Sequence, residues 1–212
     1  RPPLLAADGG QPGPRPRLCP RAGPVRPRLR LSQRDRPAAR PPPRQLAGPL
    51  FGRDCELAEL GALVQDHALV TLVGAGGMGK SRLAQALVAM PQPARAHGAC
   101  WVSLGELGQA ALLPATLASA LGVGLDAGEP LAALAQAMAP LQVLLALDGV
   151  EHLLEGVAAL VPRLLEAAPG LHLLVTSQAP LGLPGEQVMR LGPLAVPGRP
   201  LPPAQALEHG AV

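Results

Sequence analysis

From Leu50 onward, hydrophobic positions along the chain follow two alternating patterns. Short, nearly continuous apolar runs have the size and composition of buried β-strands. Between these runs, Leu, Ala and Val recur three or four positions apart, which places them on one face of a helix. The runs predict strands that begin at Ala68, Ala99, Val143, Leu171 and Gln187. The intervening stretches predict helices over residues 54–65, 79–90, 112–121, 130–138 and 152–168.

This regular alternation of strands and helices indicates an α/β fold. Parallel strands need long crossover connections, and helices commonly supply them. The pattern therefore predicts a mainly parallel sheet of about five strands, flanked by helices.

Before residue 49 the pattern gives way to a segment dense in Pro and Arg. Pro at this frequency interrupts helices and sheet ladders, so residues 1–48 are predicted to form a disordered or polyproline II-like linker. Residues 1–49 contain eleven Arg against Asp8 and Asp35, whereas the remainder has an excess of acidic residues. A second interpretation is a basic arm that contacts DNA or RNA. Charge runs are weak signals, however, and the linker is favoured.

The domain boundaries follow from these changes of composition. Residues 49–196 are assigned to the folded domain, and residues 197–212 to a linker and the start of a truncated helical region. The chain begins at Arg1 and stops at Val212 after a helix-like stretch. We therefore expect it to be a fragment of a longer polypeptide.

Composition argues against several functional classes. Phe51 and Trp101 are the only aromatic residues, so the chain lacks the stacking platforms of single-strand nucleic-acid binders. Cys19, Cys55 and Cys100 lie far apart, and neither a zinc site nor a disulfide framework is indicated. No apolar run reaches the roughly 18 residues of a membrane span. We expect a cytoplasmic protein with no membrane partner.

The most specific motif is the run GAGGMGKS, which comprises Gly74, Ala75, Gly76, Gly77, Met78, Gly79, Lys80 and Ser81. It matches the P-loop pattern G-x-x-x-x-G-K-[ST] and lies after a predicted strand and at the start of a predicted helix. The glycines allow positive φ, which turns backbone N–H groups inward toward an anion. Lys80, the only lysine in the chain, would reach the phosphates of ATP or ADP, and the Ser81 hydroxyl would ligate Mg²⁺. Arg82, which follows Ser81, also belongs to the predicted nucleotide-binding set.

Asp148 and Glu151 are the candidate catalytic residues. Asp148 ends a predicted strand, where a Walker B aspartate would hold Mg²⁺ directly or through water. An aspartate after a strand is also common in turns and at helix N-caps, but the preceding P-loop favours the metal role. Glu151 could orient water as a base, or it could cap the following helix together with His152.

The stretch from Leu50 to about Val212 resembles the NB-ARC-like, or STAND-class, P-loop ATPase module of bacterial transcriptional regulators. That module usually lies behind a winged-helix or activator-type DNA-binding domain. The matching runs, in the family's order and spacing, are LFGRDCELAEL, LVTLVGAGGMGKSRLA, CWVSL, LLALDGVEHLLE, LLVTSQAPLGLPGEQV and RLGPLAVP.

The resemblance implies further site residues and a switch function. Phe51 and Arg53 look like the family's motif beside the adenine and ribose. Thr176, at the end of a strand, looks like the sensor beside the γ-phosphate. Such modules are closed with ADP and open with ATP, and they hydrolyse ATP slowly. The parent protein contacts DNA only through another domain, and the parent can self-associate on ATP binding.

Two departures from the family pattern concern hydrolysis. Gln178 stands where many members carry an arginine that senses the γ-phosphate, and a neutral amide cannot supply that charge. Gly149 stands where a polar residue often follows the Walker B aspartate, and no Glu is adjacent to Asp148. We therefore expect slow or absent ATP hydrolysis.

Two other functions stay open on sequence grounds. A free-standing P-loop enzyme, such as a small-molecule kinase, would need a basic lid, and residues 126–139 supply only a Leu/Ala helix. A remnant that folds without binding nucleotide is disfavoured by the intact GAGGMGKS run.

Overall fold

The computed structural model describes residues 50–125 and 129–194. The expected linker at residues 1–48 and the expected truncated helical region at 197–212 lie outside the described residues. The start of the predicted 126–139 segment also lies outside them.

The described strands form one parallel sheet. They are β1 (Leu69–Val73), β2 (Ala99–Ser103), β3 (Val143–Asp148), β4 (Leu171–Ser177) and β5 (Gln187–Arg190). The order across the sheet is β2-β3-β4-β1-β5, and every neighbouring pair is parallel. The predicted α/β fold with a mainly parallel sheet is therefore confirmed.

One helix precedes β1, helices connect the strands from β1 to β4, and a loop joins β4 to β5. The helices are α1 (Asp54–Asp66), α2 (Lys80–Ala89), α3 (Leu113–Leu121), α4 (Pro130–Met138) and α5 (Leu154–Ala167), with a 3₁₀ turn at Ala110–Leu112 before α3. Local residues explain the start of α4. The Glu129 side chain caps α4 by accepting hydrogen bonds from the N–H groups of Leu131 and Ala132, and Pro130 follows at the first helical position. Within the described residues, no helix is both long and apolar enough to cross a membrane.

The start of α5 differs from the prediction. This helix begins at Leu154 rather than at residue 152, because the residues before it form a turn. Gly149 has a φ of 74°, and the Leu153 N–H group donates to the Val150 carbonyl at 2.8 Å. The turn separates the end of β3 from the helix.

Apolar residues cover both faces of the sheet, as expected for parallel strands. In β3, Val143, Leu145 and Leu147 face the cluster formed with α3, α4 and α5. Leu144 and Ala146 face the opposite cluster, formed with α1 and α2. The sheet is therefore the middle layer of three.

Strand order determines which loops meet. β4 lies between β1 and β3, so the carboxyl ends of these three strands are adjacent. In open parallel sheets, ligands bind outside the carboxyl ends of the strands. This edge therefore holds the candidate site.

Candidate functional site

The GAGGMGKS loop connects β1 to α2 and depends on glycine at three points. Gly77 and Gly79 have φ values of 79° and 86°, in the left-handed region that glycine adopts readily. Gly74 is required for another reason, because a Cβ there would lie 2.8 Å from the Leu191 carbonyl oxygen after β5. A Cβ on Gly76, Gly77 or Gly79 would meet nothing within 4 Å, so the space in front of the loop is open.

The Lys80 side chain turns back over this loop. Its Nζ atom donates to the carbonyl oxygens of Gly74, at 2.8 Å, and Ala75, at 3.0 Å. Lys80 is only 7% exposed, and these bonds use two of its three ammonium protons. The positive charge is thus held at the first residues of the loop, with a proton left for another acceptor.

The start of α2 adds backbone donors beside this ammonium. The hydrogen-bond ladder of α2 begins with Leu83 N–H donating to the Gly79 carbonyl at 2.9 Å. The N–H groups of residues 79–81 therefore precede the ladder and have no acceptor within the helix. Together with Lys80 they form a concave, positive site that can bind an anion. Ser81 is half-buried on the same first turn.

Asp148 ends β3 and is held by Thr176 of β4. The Thr176 Oγ1 atom lies 2.5 Å from Asp148 Oδ1 and donates to it. The same hydroxyl accepts from the Gly149 N–H group at 3.1 Å. Thr176 is 1% exposed, whereas Asp148 is half-buried at the edge of the sheet.

β4 brings the loop and Asp148 together. The Gly74 N–H group donates to the Ser177 carbonyl at 3.3 Å, and the preceding residue, Thr176, is bonded to Asp148. The start of the P-loop and the end of β3 are therefore bonded to consecutive residues of one strand. Sequence spacing could not predict this link, because it depends on the strand order.

Glu151 and His152 lie in the turn before α5, and neither caps that helix. The N-cap residue is Leu153, which makes no side-chain capping bond, so the capping interpretation is wrong. The Glu151 Oε2 atom lies 3.8 Å from the position of a Cβ on Gly149, which places the carboxylate near the end of β3. A His152 ring nitrogen lies 2.8 Å from the Leu107 carbonyl oxygen, and this contact ties the turn to the segment after β2.

Arg53 has a role that the sequence did not predict. Its buried guanidinium donates to Gly192 O at 2.7 Å and to Met78 O at 3.4 Å, and it pairs with Glu56. It therefore ties the P-loop to the chain just after β5. Burial raises the pKa of Glu56, but the hydrogen bond and charge of Arg53 outweigh it and lower this pKa overall. The neighbouring Phe51 is 48% exposed.

Gln178 opens the loop between β4 and β5, and Glu186 organises that loop. Gln178 is exposed at the carboxyl edge of the sheet. The Glu186 carboxylate accepts from the N–H groups of Leu181 at 2.8 Å, Gly182 at 2.7 Å and Leu183 at 3.2 Å. Sequence reasoning missed Glu186, and the only signal was its place after a Gly- and Pro-rich turn.

These features define the fold of P-loop ATPases: a parallel sheet, a GAGGMGKS loop between its first strand and helix, and an aspartate at the end of a nearby strand. Two solved structures share this fold. The crystal structure of Cdc6p from Pyrobaculum aerophilum superposes with a TM-score of 0.53 at 18% identity, over 72% of this chain and 48% of that one. The structure of Drosophila ORC bound to DNA gives 0.52 at 21% identity, over 66% and 42%.

Sequence relatives come from mycobacteria. Over 136 residues, the chain is 36% identical to a Mycobacterium tuberculosis protein whose name assigns it to the HTH-type transcriptional regulators; the match covers 64% of this chain and 15% of that protein. A second M. tuberculosis protein, named as uncharacterized, is 36% identical over 146 residues, 68% of this chain and 37% of that protein. The chain thus spans well under half the length of these relatives. No protein-family model matches it.

Proposed function

We propose that residues 49–196 form an ATP- and ADP-binding switch domain of a signal-transducing transcriptional regulator of the STAND class, with slow or absent ATP hydrolysis. The observation that carries this proposal is the P-loop itself, in which the ammonium of Lys80 is held against Gly74 and Ala75 beside the first N–H groups of α2.

The residues present fit a nucleotide phosphate and Mg²⁺. The glycines leave open space in front of the loop, and both the loop donors and Lys80 favour negative charge there. Ser81 and Asp148 would hold the metal, since hydroxyl and carboxylate oxygens suit Mg²⁺. Bound Mg²⁺ neutralises phosphate charge. Among residues 50–125 and 129–194, no cluster of three or more His, Cys, Asp or Glu could hold a metal.

The weak-hydrolysis part of the proposal rests on the residues around Asp148. Gly149 and Val150 follow it, so no carboxylate is adjacent to it in the sequence to orient water. Glu151 is the nearest such group along the chain, in the turn that follows. Gln178 is exposed and carries no charge. A site of this kind favours binding over rapid turnover.

The regulator part of the proposal rests on the relatives. The matched M. tuberculosis protein is named as an HTH-type transcriptional regulator, and this chain corresponds to a small part of it. In a protein of that kind, DNA contact belongs to a different domain, and ATP-dependent self-association of the parent is the expected output. We place this activity in the cytoplasm.

Calorimetric titration of the 212-residue chain with ATP and ADP, with and without Mg²⁺, tests the proposal. Lys80→Ala should weaken binding roughly 10- to 100-fold, since hydrogen bonds to charged groups contribute about 1.5–3 kcal/mol each. Arg163→Ala is the matched control, because it removes an exposed cation near the far end of α5. Thermal melting of each variant reports whether the fold is kept.

Each outcome has a distinct meaning. Binding that Lys80→Ala weakens and Arg163→Ala leaves unchanged supports a P-loop nucleotide site. Equal affinity in both variants would show that the nucleotide binds elsewhere. A folded chain that binds neither nucleotide would favour the remnant interpretation.

A further inference from the structure

We infer that Thr176 is a positioning residue that orients Asp148 toward Mg²⁺, and that its hydroxyl does not itself contact the γ-phosphate. This inference rests on the proposed nucleotide and Mg²⁺ site. It assigns to the end of β4 a different task from the one that the family resemblance implied.

The direction of the hydroxyl proton follows from the two neighbours of Thr176. The Gly149 N–H group, 3.1 Å from Oγ1, can only donate. The Thr176 hydroxyl must therefore accept there, and its single proton points to Asp148 Oδ1 at 2.5 Å. A phosphate oxygen is an acceptor and would need that same proton. Thr176 cannot serve the phosphate without releasing Asp148.

The surroundings keep the Thr176 hydroxyl in this arrangement. Thr176 is 1% exposed, and its β-branched side chain is stiff at χ1. It lies in β4, which pairs with β1 on one side and β3 on the other. Gly149, with a φ of 74°, directs its N–H group at the hydroxyl. The short O–H···O⁻ bond is of the strong, charge-assisted kind.

The consequence for Asp148 is a fixed carboxylate. Because Oδ1 is bonded to Thr176, the carboxylate cannot rotate freely, and Oδ2 is left for a metal or its bound water. Partners of this kind behind a metal ligand typically change metal affinity 10- to 100-fold when they are removed. Loss of the Thr176 hydroxyl should therefore affect Mg²⁺-dependent binding and spare the Mg²⁺-free interaction with the P-loop.

The test measures ADP and ATP affinity of the full chain in EDTA and across a Mg²⁺ titration. Thr176→Val keeps the branched shape and removes the hydroxyl, and Thr176→Ser keeps the hydroxyl. We expect Thr176→Val to raise the Mg²⁺ concentration for half-maximal tightening roughly tenfold and to leave affinity in EDTA within about twofold. Thr176→Ser should restore the Mg²⁺ response. Adding Thr176→Val to Asp148→Asn should change the Mg²⁺ response no further, because the residue acts through Asp148.

Other outcomes would overturn the inference. A matching loss in EDTA and in Mg²⁺, or an added loss in the double variant, would mean that Thr176 contacts the nucleotide or serves the fold alone. If Thr176→Val leaves the Mg²⁺ response unchanged while nucleotide binding still depends on Lys80, this inference is refuted and the proposed function is retained. Absence of Lys80-dependent binding would refute both. If Thr176→Val does not fold, Thr176→Ala gives the same comparison, since it leaves room for a water at the Gly149 N–H group.

Discussion

Replacing Gly79 by alanine tests how far the P-loop depends on backbone conformation. Gly79 precedes α2 with a φ of 86° and a ψ of 16°, and a Cβ there would meet no atom within 4 Å. The substitution therefore introduces no steric contact, and its cost comes from the left-handed backbone alone. For a residue with a Cβ, that conformation costs about 1–2 kcal/mol.

Gly76→Ala is the matched control in the same loop. A Cβ at Gly76 also meets nothing within 4 Å, and its φ is outside the left-handed range. Alanine should be neutral there, or stabilising by about 0.4–1 kcal/mol because the unfolded chain loses freedom. The restriction of the unfolded chain applies to both variants, so we expect their unfolding free energies to differ by the left-handed backbone cost alone, about 1–2 kcal/mol. For a chain of this size, that difference corresponds to a Tm gap of about 2–8 °C.

Urea unfolding of the nucleotide-free chain, followed by far-UV circular dichroism, measures this difference directly. Omitting the nucleotide separates the loop's conformational cost from any effect on phosphate binding. If Gly79→Ala is as stable as Gly76→Ala, the left-handed geometry is not required by the native loop, and the reasoning from φ fails. If both variants lose stability equally, the loss comes from steric contacts of the added methyl group and not from the backbone conformation.

Two further substitutions test packing and charge elsewhere in the fold. Gly156→Ala should destabilise the fold because its Cβ would lie 2.4 Å from Ala110 Cβ, although alanine normally favours a helix by about 1 kcal/mol relative to glycine. Urea unfolding should show that Ala110→Gly rescues the stability of the Gly156→Ala variant. Additive losses of stability in the double variant would contradict this explanation. Glu186→Gln should destabilise at neutral pH. Burial raises the Glu186 pKa, but hydrogen bonds to the carboxylate outweigh it and lower the pKa below its ordinary 4.5. Because the pKa is lower in the folded state, the ionised Glu186 carboxylate contributes stability above pH 4.5, and this contribution is lost as the pH falls through the folded pKa. The difference in unfolding free energy between wild type and Glu186→Gln should therefore shrink in acid. Parallel pH profiles of stability for the two proteins would refute this prediction.

The sequence pattern predicted the elements well because each signal was local. The apolar runs that predicted strands are buried on both faces of the sheet, as β3 is, and the helix over 130–138 matches α4 at both ends. Glu129 and Pro130 explain the agreement at the first residue, since a cap and a first-turn proline both mark the start of a helix. The P-loop was equally local, with every residue of GAGGMGKS contiguous in the chain.

Long-range contacts could not be predicted in this way. Nothing in the spacing shows that Arg53 reaches Gly192, which lies 139 positions further along the chain. The bond between Thr176 and Asp148 requires β4 to lie beside β3, and strand order is not written in any one segment. The start of α5 was misplaced for a smaller reason, because the positive φ of Gly149 and the turn after it separate the helix from the strand.

The phosphate-binding and metal-binding parts of the proposed site depend on different kinds of interaction, so their contributions to nucleotide affinity can be measured separately. The proposed phosphate half consists of backbone N–H groups and Lys80, and its shape depends on the glycine conformations at residues 77 and 79. The proposed metal half consists of Ser81 and Asp148, and the orientation of Asp148 depends on a side-chain hydrogen bond from Thr176 of the neighbouring strand. Changes in the first half should alter nucleotide affinity whether or not Mg²⁺ is present. Changes in the metal half should alter only the additional affinity that Mg²⁺ provides. Nucleotide affinities measured in EDTA and in Mg²⁺ therefore show to which half each residue belongs.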